Sequence, residues 1–199
     1  MILYLDTETT GLTPGQICQL SYVMQSKEKV KAKNFYFLVD YVEPSAQMVH
    51  NLSVEKLKVL SNGKRFIDHL EEIVTDFNNA SLIVAHNIIF DFSFLSKEFE
   101  KCNLPFNYQN VYCSMKSTLP ICKLKRKNSA GYKYPKLSEL CAHFFISDSE
   151  IKYNMQKLFC ERSDFHDARF DTTALYLAVN CGMVEEESMK GLAKNLWLN

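Results

Sequence analysis

Four carboxylates stand where the surrounding pattern calls for apolar side chains, and any fold for this chain must accommodate them. A helix normally turns its charges to water. Asp171 breaks that rule, because its neighbours at i+3, i+4 and i+7 are Ala174, Leu175 and Ala178, the apolar stripe. Asp91 repeats the pattern with Phe94 and Leu95. Asp6 directly follows Ile2-Leu3-Tyr4-Leu5, the tip of a buried strand, and Glu8 projects to the same face of an extended chain. Burying one carboxylate without a partner costs on the order of several kcal/mol, and a cluster costs more. The nearest basic residues in sequence are Lys97 and Arg169. A common sink of positive charge, either basic side chains or metal ions, would explain all four. Oxygen-only ligands favour Mg²⁺ or Mn²⁺ over zinc, and a pair of such ions suits phosphoryl displacement. Helix capping explains Asp91 on its own equally well, but not the four together.

His166 is the second clue. It precedes Asp171 by five residues, about 500° of helical rotation, so the two do not share a face. It fits the start of the helix, after the capping candidates Ser163 and Asp164. An imidazole titrating near neutrality can take a proton from water beside a metal. A lone histidine is also commonly structural or merely exposed.

The rest of the pattern predicts strands at Ile2–Leu5, Ile17–Val23, Phe35–Val42 and Ser81–Ala85, with Thr9–Gly15 rich in turn residues. A short helix starts at Ser53, and helical stripes cover Phe66–Phe77, Asp91–Cys102, Met115–Cys122 and Lys136–Phe144. Phe165–Cys181 forms a long helix ending at Gly182, and Glu185–Leu196 a last amphipathic one. Strands first, then alternating strands and helices, predict an α/β fold with a mixed sheet and helices packed on it. At 199 residues the chain fits a single domain, 1–199, able to bury a sizeable core. No apolar run approaches the roughly 20 residues of a membrane helix, and no leader pattern opens the chain. The seven cysteines lack C-x-x-C or zinc-site spacing, and most lie in apolar patterns. They predict reduced core residues of an intracellular, cytoplasmic protein.

The residues DTETTGL at 6–12, HNIIFDFSFL at 86–95 and HDARFD at 166–171 resemble the three motifs of the DEDDh (DnaQ-like) exonucleases, in order and spacing. The resemblance runs from residue 1 to about 181. VHNLS at 49–53 is similar to the family's His-Gly-Ile-Ser/Thr element, with Asn51 where glycine is usual. KYPKLSELCAHFF at 133–145 is similar to the helix between the second and third motifs. The resemblance implies a ribonuclease H-like fold with a mixed five-stranded sheet flanked by helices. It implies a 3′→5′ exonuclease releasing nucleoside 5′-monophosphates with two divalent ions, Mg²⁺ or Mn²⁺. Carried onto this chain, Asp6, Glu8, Asp91 and Asp171 would bind metal and His166 would be the general base. Thr10, Gly11 and Leu12 would hold the terminal nucleotide, with Leu12 as a wedge against the base. His50 and Asn87 would contact substrate, although Asn87 equally suits a turn.

Three readings stay open on the residues alone. A DNA 3′ end is the favoured partner. An RNA-specific exonuclease shares the same motifs, since discrimination rests on a group placed at the 2′-OH. A catalytically idle binding module would be expected to lose a carboxylate or the base, and none is lost here. With 23 basic and 23 acidic residues the formal charge is zero, unlike a protein that coats duplex DNA. The basic segment Lys123–Tyr134 is either a phosphate track or a solvated loop. Met183–Asn199 is short for a tethering domain, which leaves a stand-alone enzyme, a homodimer, or a subunit docking on a polymerase through its folded surface.

Overall fold

The apolar run that opens the chain becomes the central strand of a sheet. The computed structural model describes residues 1–160 and 167–188, with side chains to 182. Strand β1 (Ile2–Thr9) pairs antiparallel with β2 (Ile17–Gln25), and β2 pairs antiparallel with β3 (Val30–Tyr36). On its other side β1 runs parallel to β4 (Leu82–Ala85), which runs parallel to β5 (Val111–Cys113). The order is β3-β2-β1-β4-β5, the mixed five-stranded sheet expected from the sequence.

The helices are α1 (Pro44–His50), α2 (Val54–Leu60), α3 (Leu70–Asn78), α4 (Ile88–Lys101), α5 (Ser114–Ser117), α6 (Leu119–Cys122), α7 (Leu137–His143), α8 (Asp148–Phe159) and α9 (Ala168–Ser188). Strand alternation divides β1 between two cores. Leu3 and Leu5 join Leu20 and Tyr22 against Ile73 and Phe77 of α3 and Phe94, Leu95 and Phe99 of α4. Tyr4 points the other way, with Val23 and Val84, against Leu175 and Val179 of α9. The far side of α9 is covered in turn. Phe170, Ala174 and Ala178 pack on Leu140 and Cys141 of α7 and on Ile151 and Met155 of α8. A helix buried on both sides carries little polar surface, which is why its sequence shows a broad apolar pattern.

Several elements depart from expectation. The third strand is Val30–Tyr36, not Phe35–Val42. Phe37, Val39 and Val42 are buried, but in an irregular segment whose Phe37 and Leu38 amides donate to the Cys18 and Lys64 carbonyls. The helix predicted to stop at Gly182 continues to Ser188. Gly182 is accommodated there because the Phe144 ring would lie 3.3 Å from an added Cβ. Of the amphipathic helix predicted over Glu185–Leu196, residues 185–188 belong to α9 and the remainder lies outside the described residues. Met115–Cys122 is two short helices, and Phe66–Phe77 opens as a 3₁₀ turn, Phe66–His69, before α3. None of the seven cysteines forms a disulfide among the described residues. Among the described residues no helix is long and apolar enough to cross a membrane.

Candidate active site

The C-terminal end of β1 carries two of the carboxylates. Asp6 and Glu8 sit opposite Ser21 and Gln19 of β2, and the register slips between Glu8 and Thr9. A bulge at a strand end re-aims the side chains beside it. By alternation Asp6 and Glu8 share the Tyr4 face, the side covered by α9, and Asp171 lies in the first turn of that helix. Oxygens of Asp6, Glu8 and Asp171 come within 4.8 Å of one another. Among the described residues no Lys or Arg pairs with any of the three.

Asp91 arrives from the other side. It lies in the first turn of α4, on the Leu3 and Leu5 face, and is 3% exposed. Thr7, between Asp6 and Glu8 but facing the opposite way, donates its hydroxyl to Asp91 Oδ1 at 2.8 Å. The backbone at Thr7 and at Asp91 itself also favours the charged form of this carboxylate. The tip of β1 is thus flanked by carboxyls above and below, three grouped on one face and the fourth held through the strand itself.

Burial is the largest influence on all four, and repulsion from neighbouring carboxylates adds to it at Asp6, Glu8 and Asp171. Asp6 is raised well above the ordinary carboxylate range by burial, then by Asp171, Asp91, Glu8 and Asp167. Glu8 is pushed up to about 8 by burial, then by Asp171, Asp167 and Asp91. Asp171 rises to about 7 through burial and the charge of Asp167. Asp91 also rises to about 7 through burial, partly offset by the Thr7 hydroxyl and the backbone. Acids that cannot share their charge with a basic side chain, gathered with only oxygen donors, form a set suited to a hard divalent cation. The residues present therefore fit the metal that the sequence led us to expect.

Asp167 was not anticipated from the sequence. It precedes α9 and accepts from the Arg169 guanidinium at 2.7 and 2.8 Å and from Gln19 Nε2 at 3.0 Å. Arg169 is 6% exposed and also donates to the Tyr36 hydroxyl at 3.0 Å. This knot ties the entry of α9, and so Asp171, to β2 and β3. An Asp-x-Arg adjoining His166 was visible in the sequence, but its partners lie 131 and 148 residues away. His166 itself, together with Ser163 and Asp164, lies outside the described residues.

The residues assigned to substrate form a braced loop after β1. Thr9 donates to the Gly11 carbonyl, Thr10 exchanges hydrogen bonds with Gln16, and the Glu43 amide donates to the Thr10 carbonyl. The Glu43 carboxyl lies over Gly11, 2.4 Å from where a Cβ would be, so the close approach that Gly11 permits is already made from within the protein. Leu12 is 83% exposed at the tip. His50, in α1, is buried beneath the loop. Its Nδ1 accepts from the Leu52 amide at 3.1 Å, which leaves the proton on Nε2 to donate to the Thr9 carbonyl at 3.0 Å. Asn87 takes a left-handed conformation, φ 73°, at the start of α4 and shapes the turn that delivers Asp91.

A family profile described as an exonuclease, RNase_T, matches residues 3–176. The chain belongs to this exonuclease family. Among relatives of this exonuclease chain are the DNA polymerase III epsilon subunits of Rickettsia conorii and Escherichia coli. The first is 28% identical over 156 residues, covering 74% of this chain and 63% of the relative. The second is 27% identical over 158 residues, covering 74% and 62%. The chain thus spans under two thirds of these relatives. In fold it is similar to E. coli Exonuclease I, solved with a dT13 oligonucleotide, with a TM-score of 0.69 at 18% identity over 92% of this chain and 40% of that one. Exonuclease I of Methylocaldum szegediense gives a TM-score of 0.68 at 14% identity over 90% and 39%. The sheet and its flanking helices are the ribonuclease H-like fold of these neighbours.

Proposed function

We propose that residues 1–199 act as one exonuclease domain that hydrolyses the terminal phosphodiester at the 3′ end of DNA, using two divalent ions, Mg²⁺ or Mn²⁺. The observation that carries this is the grouping of Asp6, Glu8 and Asp171 from β1 and α9 within 4.8 Å, without a basic partner among the described residues. Asp6, Glu8, Asp91 and Asp171 would hold the ions. Bound divalent cations supply Lewis acidity to the attacking water and to the leaving 3′ oxygen. The chain's own residues do the rest. Thr7 holds Asp91, and the Asp167–Arg169 knot holds the start of α9. The Thr10-Gly11-Leu12 loop, braced by His50 and Glu43, offers an apolar tip to a terminal base. His166, five residues before Asp171, would take the proton from water. The epsilon-subunit relatives motivate DNA over RNA and a polymerase as the protein partner.

The test is digestion of 5′-labelled DNA and RNA strands with and without Mg²⁺. A descending ladder with mononucleotide products, abolished by EDTA, is expected on DNA. Cleavage at internal sites, or full activity in EDTA, would overturn the proposal. His166→Ala should lose about 10²–10⁴-fold in rate with metal affinity unchanged by calorimetry. A large loss of metal affinity would make it a ligand instead.

A further inference from the structure

The neutral total charge of this chain conceals a strong separation. Between Glu100 and Glu139 there is no Asp or Glu, while Lys101, Lys116, Lys123, Lys125, Arg126, Lys127, Lys133 and Lys136 all fall there. With 23 acidic and 23 basic residues in all, the rest of the molecule carries the matching excess of negative charge, part of it in the site. The basic stretch culminates in residues 123–134, which form a built hairpin. Lys125 bridges Tyr132 in antiparallel register. The Arg126 amide donates to the Gly131 carbonyl and the Lys133 amide to the Leu124 carbonyl, while Arg126 Nε donates to the Tyr132 carbonyl. Gly131 turns the hairpin at φ 95°.

The surface of the hairpin is specific in chemistry. Lys123, Lys125 and Lys127 are exposed, and among the described residues none of them has an ion-pair partner. Lys133 is drawn inward instead, and its Nζ donates to Glu139 Oε2 at 2.6 Å. Tyr132 and Tyr134 flank it, 43% and 50% exposed. Residues two apart in an extended segment share a face, roughly 6–7 Å apart along the chain, so the two exposed tyrosines belong to one face of the segment, with Lys125 paired across from Tyr132.

The root of the hairpin is pinned to the site. The Pro135 carbonyl accepts from His86 Nε2 at 3.0 Å, and His86 Nδ1 accepts from the Ser114 hydroxyl at 2.9 Å. His86 is the residue before Asn87, where α4 and Asp91 begin. From Pro135 the chain enters α7, whose Leu140 and Cys141 pack on Phe170 and Ala174 beside Asp171. The root of the basic hairpin is therefore tied to the turn that opens α4 and, through α7, to α9, the helices that deliver Asp91 and Asp171.

We propose that this hairpin is the track for the nucleotides preceding the 3′ end of a single-stranded substrate, with Lys123, Lys125 and Lys127 on phosphates and Tyr132 and Tyr134 stacked on bases. This rests on the exonuclease reading above and adds strand state to it. Aromatic faces accept only bases that are free of a duplex stack, and each stacked base contributes about 1–3 kcal/mol by alanine substitution. Free lysines add a salt-dependent term that needs no sequence. The overall neutrality of the molecule fits this use, since a local basic surface, and not the total charge, is what a short single strand meets.

Binding is measured separately from turnover by fluorescence anisotropy of a labelled oligothymidylate of about twelve nucleotides, in EDTA, across a salt series. The variants are the triple Lys123→Gln/Lys125→Gln/Lys127→Gln and the pair Tyr132→Leu/Tyr134→Leu, each confirmed to melt as the wild type does. The triple variant should lower the magnitude of the log–log salt slope by about 2, from roughly 0.7 per phosphate contact on a single strand. The tyrosine pair should weaken binding at least tenfold with the slope unchanged, and Tyr132→Phe/Tyr134→Phe should restore it. In turnover both losses should appear in KM and not in kcat. If the wild type binds the strand in this way but degrades nothing with Mg²⁺, the catalytic reading fails and the track stands. Equal binding by wild type and variants overturns the track, as does tighter binding of the matching duplex than of the single strand.

Discussion

Thr7 Oγ1 lies 2.8 Å from Asp91 Oδ1, joining β1 to α4 across 84 residues. Thr7 occupies the one position between Asp6 and Glu8 that strand alternation turns toward α4. The strand therefore presents two carboxylates on one face and a hydroxyl donor on the other, and the donor is spent on the fourth carboxylate. The hydroxyl favours the charged form of Asp91 against the burial that raises it to about 7. Thr7→Val keeps the shape and removes the donor. We expect Asp91 to become harder to ionise, so that the acid limb of the pH–rate profile moves to higher pH. A limb that stays in place would separate Thr7 from Asp91 chemistry.

The four raised carboxyls set the pH dependence of the metal-free protein. Each binds a proton more readily folded than unfolded, so its contribution to stability is whole below the ordinary carboxylate range, about pH 4. That contribution is lost as pH rises through the folded values, about 7 for Asp91 and Asp171 and about 8 for Glu8. The melting temperature in EDTA should accordingly fall between roughly pH 5 and pH 8, and Mn²⁺ should recover it at the upper end by binding only the folded state. Asp171→Asn should melt higher than wild type in EDTA at the upper pH, while turnover is lost. A metal-free protein that gains stability over this range would remove the premise of a repulsive cluster.

Buried Arg169 and half-buried Asp167 form an ion pair beside this cluster, and the effects of substituting the two should not add. Arg169→Met leaves Asp167 without its cation, a loss that costs about 3–5 kcal/mol when the site cannot rehydrate. Gln19 still donates to Asp167, which places the expected cost toward the low end. Adding Asp167→Asn to Arg169→Met should recover part of the loss, read from denaturant midpoints. Strict additivity would mean the pair is not energetically coupled.

How far the sequence reached depended on whether the signal was local. Asp6, Glu8 and Asp171 were legible because a strand period of two and a helix period of 3.6 assign a face without knowing the fold. Asp91 was legible as a buried acid, but its place across β1 from the other three was not, since no local period encodes which face of the sheet a helix covers. The edge strand β3 was misplaced because Val30-Lys31-Ala32-Lys33-Asn34 is half-exposed and polar, whereas the adjoining Phe37, Val39 and Val42 are apolar yet irregular. Helix α8 was missed because only Ile151 and Met155 of its twelve residues are buried. The knot at Asp167 depends on Gln19 and Tyr36, more than a hundred residues away, and no motif carried it.

His50 is where the sequence-based role and the geometry invite a direct test. The sequence assigns it to substrate, while its two ring nitrogens engage the Leu52 amide and the Thr9 carbonyl. The Thr9 bond braces the loop that ends in Leu12, so His50 is positioned to act on substrate through that loop. The amide of glutamine reaches about as far as Nε2 and can still donate to Thr9, whereas asparagine mimics Nδ1 and keeps only the Leu52 contact. His50→Gln should therefore hold KM near the wild-type value, and His50→Asn should raise it about as much as His50→Ala does. Both Ala and Asn leave the Thr9 carbonyl without this donor, at a cost of about 1–3 kcal/mol for a buried polar group, so their melting temperatures should fall below that of the Gln variant. An imidazole that met the substrate itself would lose as much in Gln as in Asn, and that equality would return His50 to the substrate-contacting role.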